Sequence, residues 1–127
     1  MKHIAIAGSG LVGSLLALYL AKHHTQIDVF ERRADMRLQT VDRGRSINLA
    51  MSYRGWRSLK EVGLEDAIRP IAIPMQGRMV HHLDGSTQLQ PYSSEGECIY
   101  SVTRGDLNQI LMNAAEKIPH INTHIEQ

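Results

Sequence analysis

The chain has 127 residues, 43% apolar and 21% charged, the make-up of one water-compatible globular domain with a modest core. Its net charge of +1 gives no basic field to gather nucleic acid or anionic lipid, and no apolar run approaches the ~20 residues that span a bilayer. The single cysteine, Cys98, excludes an internal disulfide and lies in an apolar run, where it reads as a core residue of a protein from a reducing compartment. The apolar start, Met1 to Ala7, is broken by Gly8, Ser9 and Gly10 with no cleavage-type region after it, so the expectation is a cytoplasmic protein without a leader.

Taken in chain order, residues 3–7 form a short apolar run ending at glycine, which predicts a buried parallel strand. Apolar residues then recur at helical spacing from Leu11 to about His24, with Leu11, Leu15 and Leu18 on one stripe. Gln26 to Phe30 alternates and ends on Glu31, a second strand, and the three pieces make a βαβ unit. Glu31 to Arg45 is polar and arginine-rich and reads as a loop, followed by a brief apolar segment, Ile47 to Ala50. Ser52 reads as the N-cap of a helix carrying Trp56, Leu59 and Val62 on one face and closed by Gly63. Pro70 and Pro74 bracket a connector. Met79 to Leu83 and Gln88 to Tyr92 flank Asp84-Gly85, a hairpin signal. Ile99 to Val102 is a strand. Thr103 caps a helix from Arg104 to about Lys117 with Leu107, Ile110, Leu111 and Ala114 inward, and Pro119 stops it. Ile121 to Ile125 starts a last strand with no return connection, so the chain reads as truncated.

The chemistry-bearing motif is Gly8-Ser9-Gly10-Leu11-Val12-Gly13, a G-x-G-x-x-G run between a strand and a helix. Gly8 permits the tight turn, Gly10 lets a pyrophosphate approach the backbone, and Gly13 lets the helix pack closely. First-turn N–H groups and the helix dipole then face the phosphates. Glu31 closes the second strand about 20 residues beyond the glycines, where a carboxylate accepts the ribose hydroxyls. The motif alone does not choose between NAD and FAD. Glu31 disfavours a 2′-phosphate, while Arg32 and Arg33 supply positive charge that either a phosphate or plain solvent accounts for.

The segment Arg43-Gly44-Arg45-Ser46-Ile47-Asn48-Leu49-Ala50 resembles a signature of the kynurenine 3-monooxygenases, a family of flavoprotein aromatic hydroxylases. The glycine-rich opening, Val62-Gly63-Leu64-Glu65-Asp66, Ile73-Pro74-Met75, Pro91-Tyr92 and Ser101-Val102-Thr103-Arg104 are similar too, so the resemblance covers nearly the whole chain. Trp56, where a polar residue is expected, and the loop Ser93 to Glu97 depart from the pattern.

The resemblance implies an α/β, Rossmann-like FAD-binding domain: a βαβ dinucleotide unit with a hairpin and a further helix. Residues 1–127 would be the N-terminal part of an FAD/NAD(P)-binding domain that includes part of a substrate-contacting hairpin (78–92). It implies bound FAD, reduced by NADPH, which uses dioxygen to hydroxylate L-kynurenine beside its ring amino group. The cofactor carries that chemistry, and no acid–base dyad is expected. Carried over by position, Gly8, Gly10, Val12, Gly13, Glu31, Arg32, Arg33, Ala50 and Arg104 are the FAD contacts. Ala50 would leave room for the ring, and Arg104 is a cation at a helix start where an anion would explain it. Arg43 and Arg45 could face the flavin or its phosphates. Arg78 and Tyr92 match the contacts to the substrate carboxylate, which a guanidinium binds bidentately.

Other parts of the same polypeptide are implied as partners: a second FAD motif of Gly-Asp type, a sheet roofing the substrate, and a C-terminal helical region. Without them the 127 residues are expected to be inactive alone. Nucleic acid and a membrane segment are not expected. The histidines, in the adjacent pairs His23-His24 and His81-His82 or straddling a helix stop at His120 and His124, suggest no metal site. Two other readings stay open: an NAD(P)- or FAD-binding Rossmann module of another oxidoreductase, and another flavin aromatic hydroxylase. Against a dehydrogenase module, the chain inserts an arginine loop and a hairpin after Glu31 instead of continuing the strand–helix alternation.

Overall fold

The computed structural model describes residues 2–38 and 47–127. Its centre is a three-stranded parallel sheet in the order β1 (His3–Ala7), β2 (Gln26–Glu31), β8 (Ile121–Ile125). Ile4 pairs with Ile27, and Ile27 in turn with Ile121, so the branched side chains align across the three strands. The strand period of two puts Ile6, Ile27, Val29 and Ile121 on one buried face. Helices α1 (Leu11–Ala21) and α4 (Arg104–Glu116) pack against each other and against this sheet. α1 contributes Ala17, Leu18 and Ala21, and α4 contributes Leu107, Leu111 and Ala115. Burying a side chain such as Ile27 or Leu111 contributes roughly 1.5–3 kcal/mol.

β1 is parallel as expected, but it is not a buried strand. Among the described residues it lies at the sheet edge, and only Ile6 of its five residues is buried. The opposite sheet face carries polar and aromatic groups. There Asp28 accepts from His124 at 2.9 Å and from Asn122 at 3.1 Å and also pairs with His3, while Phe30 stacks on His124. These imidazoles and the amide hold the Asp28 carboxyl well below its ordinary range, His124 first.

A second sheet is antiparallel, in the order β3 (Asn48–Met51), β7 (Ile99–Thr103), β4 (Ile73–Met75). The segment expected only as an apolar stretch at Ile47 to Ala50 is thus β3. The connector between Pro70 and Pro74 holds β4, and Pro74 lies within that strand. A proline is tolerated there because β4 is an edge strand among the described residues, paired only with β7. Helix α2 (Tyr53–Glu61) buries Trp56 and Leu59. Ser52 occupies its N-cap position without a side-chain capping bond. The chain after α2 turns on Gly63 at φ 75°, with Leu64 N donating to Leu59 O and Gly63 N to Lys60 O, a Schellman closure. A short helix α3 (Glu65–Ile68) and a 3-10 turn, Arg69–Ile71, precede β4; neither was expected. Arg69 lies 4.6 Å over the Trp56 ring, and Trp56 meets Tyr100 edge-on, which explains an indole at a position expected to be polar.

Boundaries shift in α1 and in both hairpin strands, and α4 turns a different face inward. α1 ends at Ala21 rather than near His24, which takes φ 52°. The hairpin strands are β5 (Gly77–His81) and β6 (Thr87–Pro91), each starting and ending earlier than expected. The reason is the turn: His82 N donates to Ser86 O, and Asp84 Oδ1 accepts from Ser86 N, so Leu83 belongs to the loop. α4 is rotated from the expected face. Asn108, Met112 and Ala115 are buried with Leu107 and Leu111, while Ile110 and Ala114 are half-buried. Thr103 caps α4 as expected, its Oγ1 accepting from Asp106 N at 3.2 Å.

Candidate cofactor site

β1 delivers the chain to Gly8 at the carboxyl end of the parallel sheet. Gly8 takes φ 99°, a conformation that a side chain disfavours, and its N–H donates to Phe30 O at 2.7 Å. Gly13 is required for close approach. A Cβ there would sit 1.9 Å from Gly8 O, so the α1 helix lies directly on the turn as well as on Ile6. A Cβ on Gly10 would meet no protein atom within 4 Å; that side is open. Gly10 is the N-cap residue of α1, and no acidic side chain occupies the first turn, so the first-turn N–H groups face the cleft without a built-in anion.

Glu31, the last residue of β2, is buried beneath this turn at 7% exposure. Its Oε2 accepts from Ser9 N at 3.0 Å and Ser9 Oγ at 3.2 Å. Its Oε1 accepts from Arg33 N at 2.9 Å and Arg33 Nε at 3.3 Å. The backbone N–H groups of Arg33 and Ser9 are the main reason that the Glu31 carboxyl is held down to about 2. The two backbone bonds are the shorter ones and fix the carboxylate. The two side-chain bonds are longer and come from groups that can rotate away, so a pair of ribose hydroxyls can take their places at the same oxygens.

The glycine turn, Glu31 and Arg33 form one side of a cleft of about 620 Å³. Its other walls are Ala34, Asp35 and Met36 from the loop after β2, and Arg104, Asn108 and Met112 from α4. Asn108 Nδ2 donates to Met36 Sδ at 2.9 Å, while Asn108 Oδ1 is buried without a partner among the described residues. The cleft therefore has a polar end of backbone N–H groups, carboxylate and guanidinium, and a second end of methionine and amide. That arrangement fits an extended dinucleotide.

Of the residues singled out from the sequence, the structure gathers Gly8, Gly10, Val12, Gly13, Glu31, Arg33 and Arg104 at this cleft. Arg32 is exposed in the turn beyond β2 and is not part of its lining. Ala50 is exposed on β3 opposite Ser101 and is not among the lining residues. Arg43 and Arg45 lie outside the described residues. Arg78 and Tyr92 are on the hairpin. Arg78 is paired with Gln90 and donates to its Oε1 at 2.7 Å, and Tyr92 N donates to Gln76 O at 3.0 Å. This register puts Arg78 and Tyr92 diagonally on one exposed face.

Sequence reasoning passed over Ser9, Ala34, Asp35, Met36, Asn108 and Met112. Ser9 sat at a variable position of the glycine motif, and its Glu31 bond is a tertiary fact. Asn108 carried one usable signal: a polar residue on the inward face of an otherwise apolar helix.

A parallel βαβ unit with a glycine turn, a buried carboxylate ending the second strand and an open helix start defines a dinucleotide-binding domain. The sequence matches the family model described as "FAD binding domain" over residues 1–126, and the chain belongs to that family; its dinucleotide is FAD. It is 52% identical over 122 residues to a kynurenine 3-monooxygenase of Anopheles gambiae, covering 95% of this chain and 25% of the relative. It is 50% identical over 121 residues to that of Sus scrofa, covering 95% of this chain and 26% of the relative. The chain thus spans about a quarter of the length of these curated relatives. Among solved structures, the fold is similar to a tetrameric 2-methyl-3-hydroxypyridine-5-carboxylic acid oxygenase, at TM-score 0.80 and 17% identity over 99% of this chain and 32% of the other. It is also similar to p-nitrophenol 4-monooxygenase from Pseudomonas putida DLL-E4, at TM-score 0.76 and 18% identity over 99% of this chain and 33% of the other. No helix among the described residues is long and apolar enough to cross a membrane.

Proposed function

We propose that these residues are the FAD-holding part of a cytoplasmic flavin-dependent kynurenine hydroxylase. The observation that carries this reading is identity of about half with kynurenine 3-monooxygenases across 95% of the chain, glycine turn and hairpin included. Once bound, FAD supplies the redox chemistry, drawing electrons from NADPH and using dioxygen to hydroxylate the aromatic ring. The chain's own residues do the holding. First-turn N–H groups after Gly10, including that of Val12, receive the pyrophosphate, and Arg33 and Arg104 balance its charge. Arg32 adds positive charge from the exposed turn beyond β2. Glu31 takes the ribose hydroxyls. Ala50 leaves space for the flavin ring. Arg78 and Tyr92, on one face of the hairpin, grip the carboxylate of L-kynurenine.

The substrate lies beyond the reach of these residues alone, because the hairpin lacks a facing wall among the described residues. The 127-residue chain is therefore expected to bind FAD weakly and to oxidise no NADPH in response to kynurenine. The test is a pair of measurements. The protein expressed from its complete reading frame should show flavin absorbance and kynurenine-stimulated NADPH oxidation with 3-hydroxykynurenine as product. A complete protein that carries flavin but leaves kynurenine unchanged would overturn the substrate. Kynurenine-stimulated oxidation by the 127-residue chain would overturn its dependence on the remaining polypeptide.

A further inference from the structure

The cleft has walls from two distant parts of the chain, the loop after β2 and helix α4, and one side chain ties them together. Arg37 Nη1 donates to Asn113 Oδ1 at 2.8 Å and to Glu116 Oε2 at 2.7 Å, and Nη2 donates to Glu116 Oε1 at 2.6 Å. On the loop side, Nε donates to Asp35 Oδ1 at 2.9 Å and Nη2 to Asp35 Oδ2 at 2.6 Å. The guanidinium thus makes fork-like contacts to two carboxylates at once, with its side chain only 15% exposed. Arg37 N also donates to Asp35 Oδ1, which sets the loop's own turn. Pairing with Arg37 lowers the Asp35 carboxyl from its ordinary value, as the geometry requires.

Arg37 does not line the cleft, but its neighbours do. Ala34, Asp35 and Met36 form the wall that continues from Glu31 and Arg33. The tether holds Met36 against the start of α4, where its Cε would lie 4.0 Å from a Cβ on Gly105 and its sulfur meets Asn108. Among the described residues, the other hydrogen bond between this wall and α4 is the amide–sulfur contact of Asn108 with Met36.

We propose that Arg37 is a positioning residue for FAD: it clamps the loop after β2 to α4 and so fixes the cleft wall beside the adenosine half of the cofactor. This rests on the assignment of the cleft to FAD. The substitutions are Arg37→Ala, Arg37→Lys and Glu116→Gln. Each variant is titrated with FAD and, separately, with ADP, which carries only the adenosine and pyrophosphate end. The protein from the complete reading frame is used, stripped of flavin, at a temperature where circular dichroism shows every variant fully folded. Arg37→Ala is expected to weaken FAD and ADP by the same factor, about tenfold. Glu116→Gln should fall between it and the parent, and Arg37→Lys should recover part of the loss. Unchanged ADP and FAD affinities in folded Arg37→Ala protein would overturn the proposal, leaving Arg37 a stability residue only. So would a loss confined to FAD with ADP unaffected. A parent protein that binds neither FAD nor ADP would instead overturn the cofactor assignment, and this proposal with it.

Discussion

The parallel sheet and the β5–β6 hairpin use strands of the same five or six residues, yet they keep their side chains in opposite surroundings. In β2, Ile27, Val29 and Glu31 are all buried, and the strand pairs on both edges. In β6 every residue is exposed, and among the described residues the hairpin pairs only with itself. The proposed cofactor residues of the first region are held by tertiary contacts: Gly13 by the Gly8 carbonyl, Glu31 by Ser9 and Arg33, the loop by Arg37. The proposed substrate residues of the second are held by a turn and a cross-strand pair. A two-stranded hairpin is marginal alone. The proposed cofactor contacts are therefore fixed within the described residues, while the proposed substrate contacts depend on what faces the hairpin.

The most severe way to break the first region is Gly13→Val. Its Cβ would lie 1.9 Å from a backbone oxygen, so the helix must leave the turn. The expected loss is roughly 4 kcal/mol or more, with FAD binding abolished, read by urea unfolding and flavin titration.

Glu31→Gln should come next, weakening FAD by about a hundredfold, since an amide nitrogen replaces one acceptor among four donors. The same substitution tests the acid limb of stability. The Glu31 carboxyl is lowered in the fold from 4.5 to about 2, so its contribution is complete above pH 4.5 and disappears as the pH falls toward 2. Between these values the parent should lose stability more steeply than the Gln variant; equal slopes would remove Glu31 from that role.

Thr103→Ala should cost about 1 kcal/mol by removing the α4 cap, measured as a lower urea midpoint. The smallest effect is expected from Arg78→Ala: within about 0.5 kcal/mol in stability, and none on FAD affinity. Its consequence should appear only in the complete protein, as a raised KM for kynurenine. Hydrogen exchange sharpens the contrast further, with amides of Gly77–Pro91 exchanging fastest and those of Gln26–Glu31 slowest.

Much of the fold was legible because its signals are local. The glycine run, the alternation into Glu31, the Thr103 cap before an apolar helix and Pro119 after it each mark an element through backbone chemistry. β4 was not legible, since proline argues against a strand until an edge position is known. The hairpin register shifted because Asp84 and Ser86 close a longer loop than Asp84-Gly85 implied. At the cleft, the glycines, Glu31, Arg33 and Arg104 were readable from motif and position. Met36 and Arg37 were not, because nothing local links residue 37 to residue 116.

By itself the sequence determined a dinucleotide turn, its acidic partner and the order of the elements, since φ preferences, periodicity and caps act over a few residues. Only the tertiary structure decided that β1 lies at the edge of the described sheet, that Glu31 is already gripped by four donors, and that one arginine spans the cleft's two walls. Those are distances between remote segments, and packing sets them.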